Sequence, residues 1–424
     1  MMPLVIGIDI GTSGARAVAM RPDFSIAGQS AVRLDRFGQN PRDPSAWWQA
    51  VQAALTELLS GIDRAAVRTI AVDGTSGTLL PVDAVGRPLT EPLMYNDKVD
   101  DADILAAVAR EAPDASAAHG ATSGLAKALL FQHLPGIAAV LHQADWIAAN
   151  FSGRFDVSDE NNALKTGYDV EARRWPDWIA ATGMRVDLLP HVVEPGDVTG
   201  TLTAAAAELF GLPRDVVVVA GTTDGCASFL ATGATTAGDG VTALGSSLTI
   251  KILSDRPISA PRFGIYSHRL GDTWLAGGAS NSGGKVLAQY FPLARIIELS
   301  AAIDPTTQTG LDYYPLGASG ERFPIADPTL PPRLSPRPAD DADYLKAMFE
   351  GMAAIEALGY RRLAELGAPA LTSVRSVGGG AANPAWTDIR RRKLGVDFLP
   401  TLSDEAAAGT ARLALKGANK AGLA

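Results

Sequence analysis

Residues 3–10 form a short, mostly apolar run with Asp9 near its end, the pattern of a buried strand. A polar, glycine-rich step, Gly11-Thr12-Ser13-Gly14, follows, and Ala15 to Met20 reads as a returning strand. The outline recurs downstream: Gly240 to Leu244, the turn Gly245-Ser246-Ser247, then Leu248 to Leu253. Gly11 and Gly245 lie 234 residues apart in a chain of 424, so the spacing predicts an internal duplication with one hairpin opening each half.

Between the hairpins, helical periodicity over Pro44–Leu59, Asp100–Ala112, Leu125–His133, Ile137–Ala149 and Ala204–Phe210 alternates with strand-like runs over Arg68–Val72 and Asp215–Ala220. That alternation predicts an α/β architecture. The second half repeats it, with strands near Thr273–Ala276 and Val374–Val377, a long helix from about Asp340 to Leu366 and an Ala-rich helix from Glu405. Glu321 to Pro338 contains six prolines and reads as an extended loop. The Gly/Thr-rich run Gly233 to Gly238 places a boundary near residue 237, giving domains of residues 1–237 and 238–424.

Composition narrows the class. With 47% hydrophobic and 20% charged residues the chain is a globular protein, and its length calls for more than one core. A net charge of −9 argues against a nucleic-acid partner, which needs a basic face. No apolar stretch reaches the roughly 18 residues of a membrane span, so the chain is expected to be soluble and cytoplasmic. The lone cysteine, Cys226, excludes an internal disulfide and is expected to be buried, and the five histidines show no metal-ligand spacing.

Four strand-to-glycine junctions carry the candidate chemistry. In Asp9-Ile10-Gly11-Thr12-Ser13-Gly14-Ala15-Arg16, glycines expose backbone N–H groups to an anion, hydroxyls add donors, Arg16 adds charge, and an acid near polyphosphate is suited to Mg²⁺. No Gly-Lys-Ser/Thr follows, so this is not a Walker A loop, and an ordinary hairpin is the competing reading. In Gly221-Thr222-Thr223-Asp224-Gly225, Asp224 ends a buried strand, positioned either to accept the proton of an attacking hydroxyl or to cap the next helix. The clusters Gly277 to Gly284 and Gly378 to Asn383 suit phosphates and a nucleobase lying against the backbone, a plain tight turn being the alternative for each alone.

Taken together, these motifs resemble the FGGY-type carbohydrate kinases of the actin, hexokinase and heat-shock-chaperone ATPase superfamily. The first phosphate hairpin resembles Gly7-Ile8-Asp9-Ile10-Gly11-Thr12-Ser13, the catalytic-Asp segment Gly221-Thr222-Thr223-Asp224, the second hairpin Leu244-Gly245-Ser246-Ser247, and the adenosine motif Gly378-Gly379-Gly380-Ala381-Ala382-Asn383-Pro384-Ala385-Trp386. The resemblance implies two related ribonuclease-H-like domains with a cleft between them, the first binding sugar and the second ATP. It implies Asp224 and Asp9 as catalytic residues, Asp9 also orienting Mg²⁺ through water. It places sugar at Asp9, Ser13, Gly14, Ala15, Arg16, Ser76 and Asp224, and ATP at Gly11, Thr12, Gly245, Ser246, Gly278, Ser282, Gly379, Gly380 and Asn383. Asp73 to Thr78 matches a sugar-contact loop and Tyr95-Asn96-Asp97 the segment after the next strand. Lys127 stands where the family commonly carries a lysine, with a solvated helix face as its alternative.

More narrowly, Ala71 to Leu80, Ser158 to Tyr168, Ile265 to Arg269 and Gly320 to Pro324 resemble the D-ribulose kinase group of cyanobacteria and plants. The Met-His pair of xylulose kinases and the Arg-Glu pair of glycerol kinases are absent, with Thr75-Ser76 in their place. The expected reaction is ATP-dependent phosphorylation of a small ketose, D-ribulose first. Xylulose or another polyol of the same family is the alternative, a chaperone-like or mechanical ATPase and a silent sugar-binding regulator being the rivals of other classes.

Overall fold

The computed structural model describes residues 2–424. The chain divides into two compact units: one runs to Ala231 and adds His268–Gly271 and Glu405–Ala424, the other comprises Thr232–Ser267 and Asp272–Asp404.

In the first unit the strands lie in the order Ile26–Arg33, Gly14–Met20, Leu4–Ile10, Val67–Gly74, Val217–Thr223, Val198–Thr201. The first three form an antiparallel meander, while Leu4–Ile10, Val67–Gly74 and Val217–Thr223 run parallel. In the second unit the order is Thr273–Ser280, Leu248–Ser254, Asp239–Leu244, Ser373–Val377, Asp397–Phe398. Its directions repeat the first: antiparallel across the opening hairpin and its neighbour, parallel beyond. The duplication expected from two glycine turns is therefore a duplication of sheet topology.

Each sheet has its own core. In the first unit, the helix Pro44–Ser60, started by Pro44 and capped by Asp43 accepting from Ser45 N–H, buries Trp47, Val51, Leu55 and Leu58 among Ile6, Ile8 and Ile70. In the second, the helix Asp341–Glu365, capped by Asp340, buries Tyr344, Met348, Phe349 and Met352 among Ile250 and Ile252. Cys226 is buried, as expected. Glu321–Pro338 contains neither helix nor strand.

Two expectations are corrected. Ile137–Ala149 is not one helix: Ala139–His142 is a strand pairing antiparallel with Leu79–Val82, and the helix Gln143–Ser152 starts only where Asp145 accepts from the His142 N–H. The boundary near 237 assigns the last helix to the second domain, but Ala406–Lys420 packs on the first sheet. Its small residues Ala407, Ala411, Ala414 and Ala418 recur at helical spacing on one buried face. Gly7 lacks the Cβ that would meet the Ala407 carbonyl oxygen at 2.1 Å, so strand and helix backbones touch. Thr69 adds a hydrogen bond to the Ala414 carbonyl, 2.8 Å long.

Candidate active site

Three carboxylates gather at the C-terminal ends of three adjacent parallel strands of the first unit. Asp9 pairs with Asp73 across the first two strands, and Thr222 pairs with Asp73 from the third, which ends one residue before Asp224. Such strand ends are where open α/β sheets present ligands. Burial lifts the carboxyl of Asp73 well above the usual range, and the neighbouring charge of Asp9 adds to it; Thr410 donates a hydrogen bond to the same carboxyl. Burial also raises Asp9, opposed by the hydrogen bond from Asp73 and by Arg16, whose guanidinium lies 3.1 Å from Oδ2. Asp224 adds a further repulsive charge to both.

Asp224 opens the helix Asp224–Ala231 directly out of the strand, and its Oδ1 accepts from the Gly225 N–H at 2.7 Å. Asp224 is itself the first residue of the helix, and this bond reaches only the next residue, so it is not the N2 or N3 contact of a helix cap.

The hairpin tip between the first two strands exposes Thr12 and Ser13, with Gly11 partly exposed and its N–H bonded to the Gly14 carbonyl. Gly14 is buried: a Cβ there would lie 2.2 Å from the Val32 carbonyl oxygen, so this glycine serves close strand packing. Ala15 is buried as well, leaving Arg16, 39% exposed, as the reachable group of that stretch. Arg16 is also tied to Glu405, at 3.2 Å.

Beside the acids, the loop after Val67–Gly74 is pinned by a buried network. Thr75 Oγ1 donates to Gln143 Oε1 at 2.7 Å, and Thr78 Oγ1 lies 2.6 Å from Thr75 Oγ1 and accepts from the Tyr95 N–H. The Ser76 hydroxyl is buried without a hydrogen-bond partner. Tyr95 is 48% exposed, while Asp97 pairs with Arg42, which holds its carboxyl below the usual range. Lys127 is fully buried, which removes the solvated-face alternative; its ammonium donates to the carbonyls of Gly77 at 2.8 Å and Met94 at 2.7 Å.

The second unit contains a cavity of about 1010 Å³ lined by Gly245, Ser246, Gly379, Gly380 and Asn383 together with Phe349 and Trp386, whose rings stack at 4.9 Å. Residues from the second hairpin and the last glycine cluster, far apart in sequence, thus share one wall. Asn383 is the N-cap of Pro384–Leu394, accepting from Trp386 N–H, and its Nδ2 donates to Ser300 Oγ.

Gly278 and Ser282 do not line that cavity. Gly278 sits in the strand Thr273–Ser280, where a Cβ would lie 2.4 Å from the Phe323 ring, so its role there is packing. Ser282 is fully buried. Two residues of consequence went unremarked as individual groups in the sequence: Asp73, whose signal was an acid ending a strand parallel to that of Asp9, and Lys285, a cation directly after Gly283-Gly284 that lines the cavity.

Family models place the boundary near residue 236 and count the last helix, as far as residue 418, with the C-terminal domain, although that helix packs on the first sheet. Residues 4–103 and 131–231 match the N-terminal domain, and 236–418 the C-terminal domain, of the FGGY family of carbohydrate kinases. A xylulose kinase of Escherichia coli K12 is 26% identical over 98% of this chain and 90% of that protein, and one from Streptomyces coelicolor is 27% identical over 93% and 83%. The solved xylulose kinase of Rhodospirillum rubrum superposes with a TM-score of 0.82 at 25% identity, covering 98% of this chain and 90% of that one. The chain belongs to the FGGY family of carbohydrate kinases, enzymes that phosphorylate sugars with ATP.

Proposed function

We propose that this kinase transfers the γ-phosphoryl group of ATP to the terminal hydroxyl of a ketopentose, with Asp224 as general base. The observation that carries this reading is the alignment of Asp9, Asp73 and Asp224 at three neighbouring strand ends, with Asp224 at a helix start. The hydroxyl proton passes to the Asp224 carboxylate, the sugar oxygen forms a bond to phosphorus, and the bond between phosphorus and the bridging oxygen of ADP breaks. Arg16 and Ser76 are the sugar-binding groups this reading favours, and Gly245, Ser246, Gly379, Gly380 and Asn383 hold the nucleotide. The apolar wall of Phe349 and Trp386 suits a nucleobase, and the glycines let it lie against the backbone.

The residues present fit Mg²⁺. That ion usually takes one or two carboxylates, keeping waters and phosphate oxygens as its remaining ligands, and Asp9 supplies a hard oxygen beside an exposed glycine-hydroxyl turn. When bound with ATP, Mg²⁺ neutralises charge on the β- and γ-phosphates.

For the sugar, the relatives' names support xylulose, the alternative, more than D-ribulose. Thr75-Ser76, standing in place of the xylulose kinases' Met-His pair, is what supports D-ribulose as the second reading. The two sugars differ only in configuration at one carbon, a difference read by a few polar contacts. Specificity constants over D-xylulose, D-ribulose, pentitols, glycerol and sedoheptulose test the proposal. A ketopentose is expected to lead; preference for glycerol, or ATP turnover unaffected by any sugar, overturns it.

A further inference from the structure

Among the described residues lining the cavity of the second unit, Lys285 is the one charged side chain. The rest of the wall is apolar or carries neutral hydroxyl, amide and backbone groups. A pocket of that character binds a nucleoside well, but a polyphosphate brings several negative charges into a chain whose own net charge is −9.

The position of Lys285 is fixed by close backbone contact with the second glycine turn. Its own N–H donates to the Ser246 carbonyl at 3.1 Å, and the preceding Gly284 N–H donates to the Gly245 carbonyl at 2.8 Å. Neither Gly283 nor Gly284 accommodates a side chain. A Cβ on Gly283 would meet the Ser246 carbonyl oxygen at 2.8 Å, and one on Gly284 the Gly245 carbonyl oxygen at 2.9 Å; Gly283 moreover has φ +139°. Two glycines therefore bring the lysine backbone against the turn whose Gly245 and Ser246 line the cavity. The lysine itself is exposed, so a mobile four-carbon stem carries its charge.

We infer that Lys285 is a ligand of the nucleotide's phosphates, supplying the positive charge that the rest of the cavity wall lacks. The inference rests on the reading of this cavity as the ATP pocket. An ammonium acts on phosphate as a point charge with rotatable donors, so the contact needs reach rather than a fixed fork. Its contribution belongs to the polyphosphate and not to the base or ribose.

Calorimetric titration of the full chain with ATP and, separately, with adenosine tests this. Lys285→Ala is expected to weaken ATP binding about tenfold or more while adenosine affinity stays within about twofold. Lys285→Arg is expected to recover most of the ATP affinity. ATP affinity unchanged in Lys285→Ala, or ATP and adenosine weakened alike, overturns the inference while leaving the nucleotide pocket standing. Wild-type protein that binds neither ligand overturns the pocket reading and this inference with it. Lys285 is exposed on the pocket rim, so thermal melts of the variants are expected to match wild type.

Discussion

Lys127 donates its ammonium to the carbonyl of Met94 at 2.7 Å and to that of Gly77 at 2.8 Å, from a position with no solvent exposure. One side chain thereby ties together two loops, one holding Thr75 and Ser76 and the other Tyr95 and Asp97. The charge is costly there: burial lowers its pKa from an ordinary 10.5 to about 8, only partly offset by Asp97. Between pH 8 and 10.5 the unfolded chain binds this proton and the folded protein does not, so stability rises with pH across that window, by at most about 1.4 kcal/mol per unit. Lys127→Met is expected to lose that rise, seen as a difference between the denaturant midpoints of the two proteins at pH 8 and pH 10. It leaves two carbonyls without their donor, so the sugar KM should rise while the ATP KM holds. Parallel midpoints for both proteins would place the titration elsewhere.

The contact of Gly7 with the last helix yields a stability prediction. A methyl group at Gly7 meets backbone atoms at 2.1 and 2.2 Å, and neither backbone can move without breaking the sheet or the helix. Gly7→Ala should destabilise the protein by about 3 kcal/mol, the upper range for overpacking. Deletion of residues 405–424 should uncover Val5, Ala71 and Val219 and make the protein aggregate. A Gly7→Ala melt equal to wild type would mean the helix does not pack there.

The glycine cluster of the second unit separates fold from function within two residues. A Cβ on Gly380 would meet the Trp386 ring at 2.5 Å, whereas one on Gly379 would find nothing within 4 Å. Gly379→Val should therefore fold normally and raise the ATP KM about tenfold or more by filling nucleotide space, with the sugar KM unchanged. Gly380→Val should lower the melting temperature as well. Equal ATP kinetics for Gly379→Val and wild type would remove the base from that wall.

Much of this was legible from pattern. The two hairpins were legible because the strand, glycine-hydroxyl turn, strand outline occurs twice, and the repeat of sheet topology followed from them. The helix Asp341–Glu365 was legible from its cap and its periodic apolar face. Less legible was whatever depended on contacts between distant segments. Alanines in Ala406–Lys420 declare a close-packed face but not the sheet it covers, and only the absent side chain of Gly7 identifies the partner. The register pairing Asp9 with Asp73 is likewise a tertiary fact, since 64 residues separate the two acids. Gly278 misled for a related reason: a glycine beside a ring and a glycine beside a phosphate have the same local sequence.

Asp224 carries the most direct prediction. Its Oδ1 is held by the Gly225 N–H, so an asparagine there keeps an acceptor at the same atom and the helix start survives. What the amide loses is the ability to take a proton. Asp224→Asn should therefore leave the melting temperature and ATP binding near wild type and lower kcat by a factor of about 10² to 10⁴, the usual worth of a general base. The change should appear in kcat more than in either KM, because ground-state contacts persist. Removing one of three mutually repelling carboxylates should also let Asp9 ionise at lower pH. Turnover within about threefold of wild type would take the proton-accepting role away from Asp224.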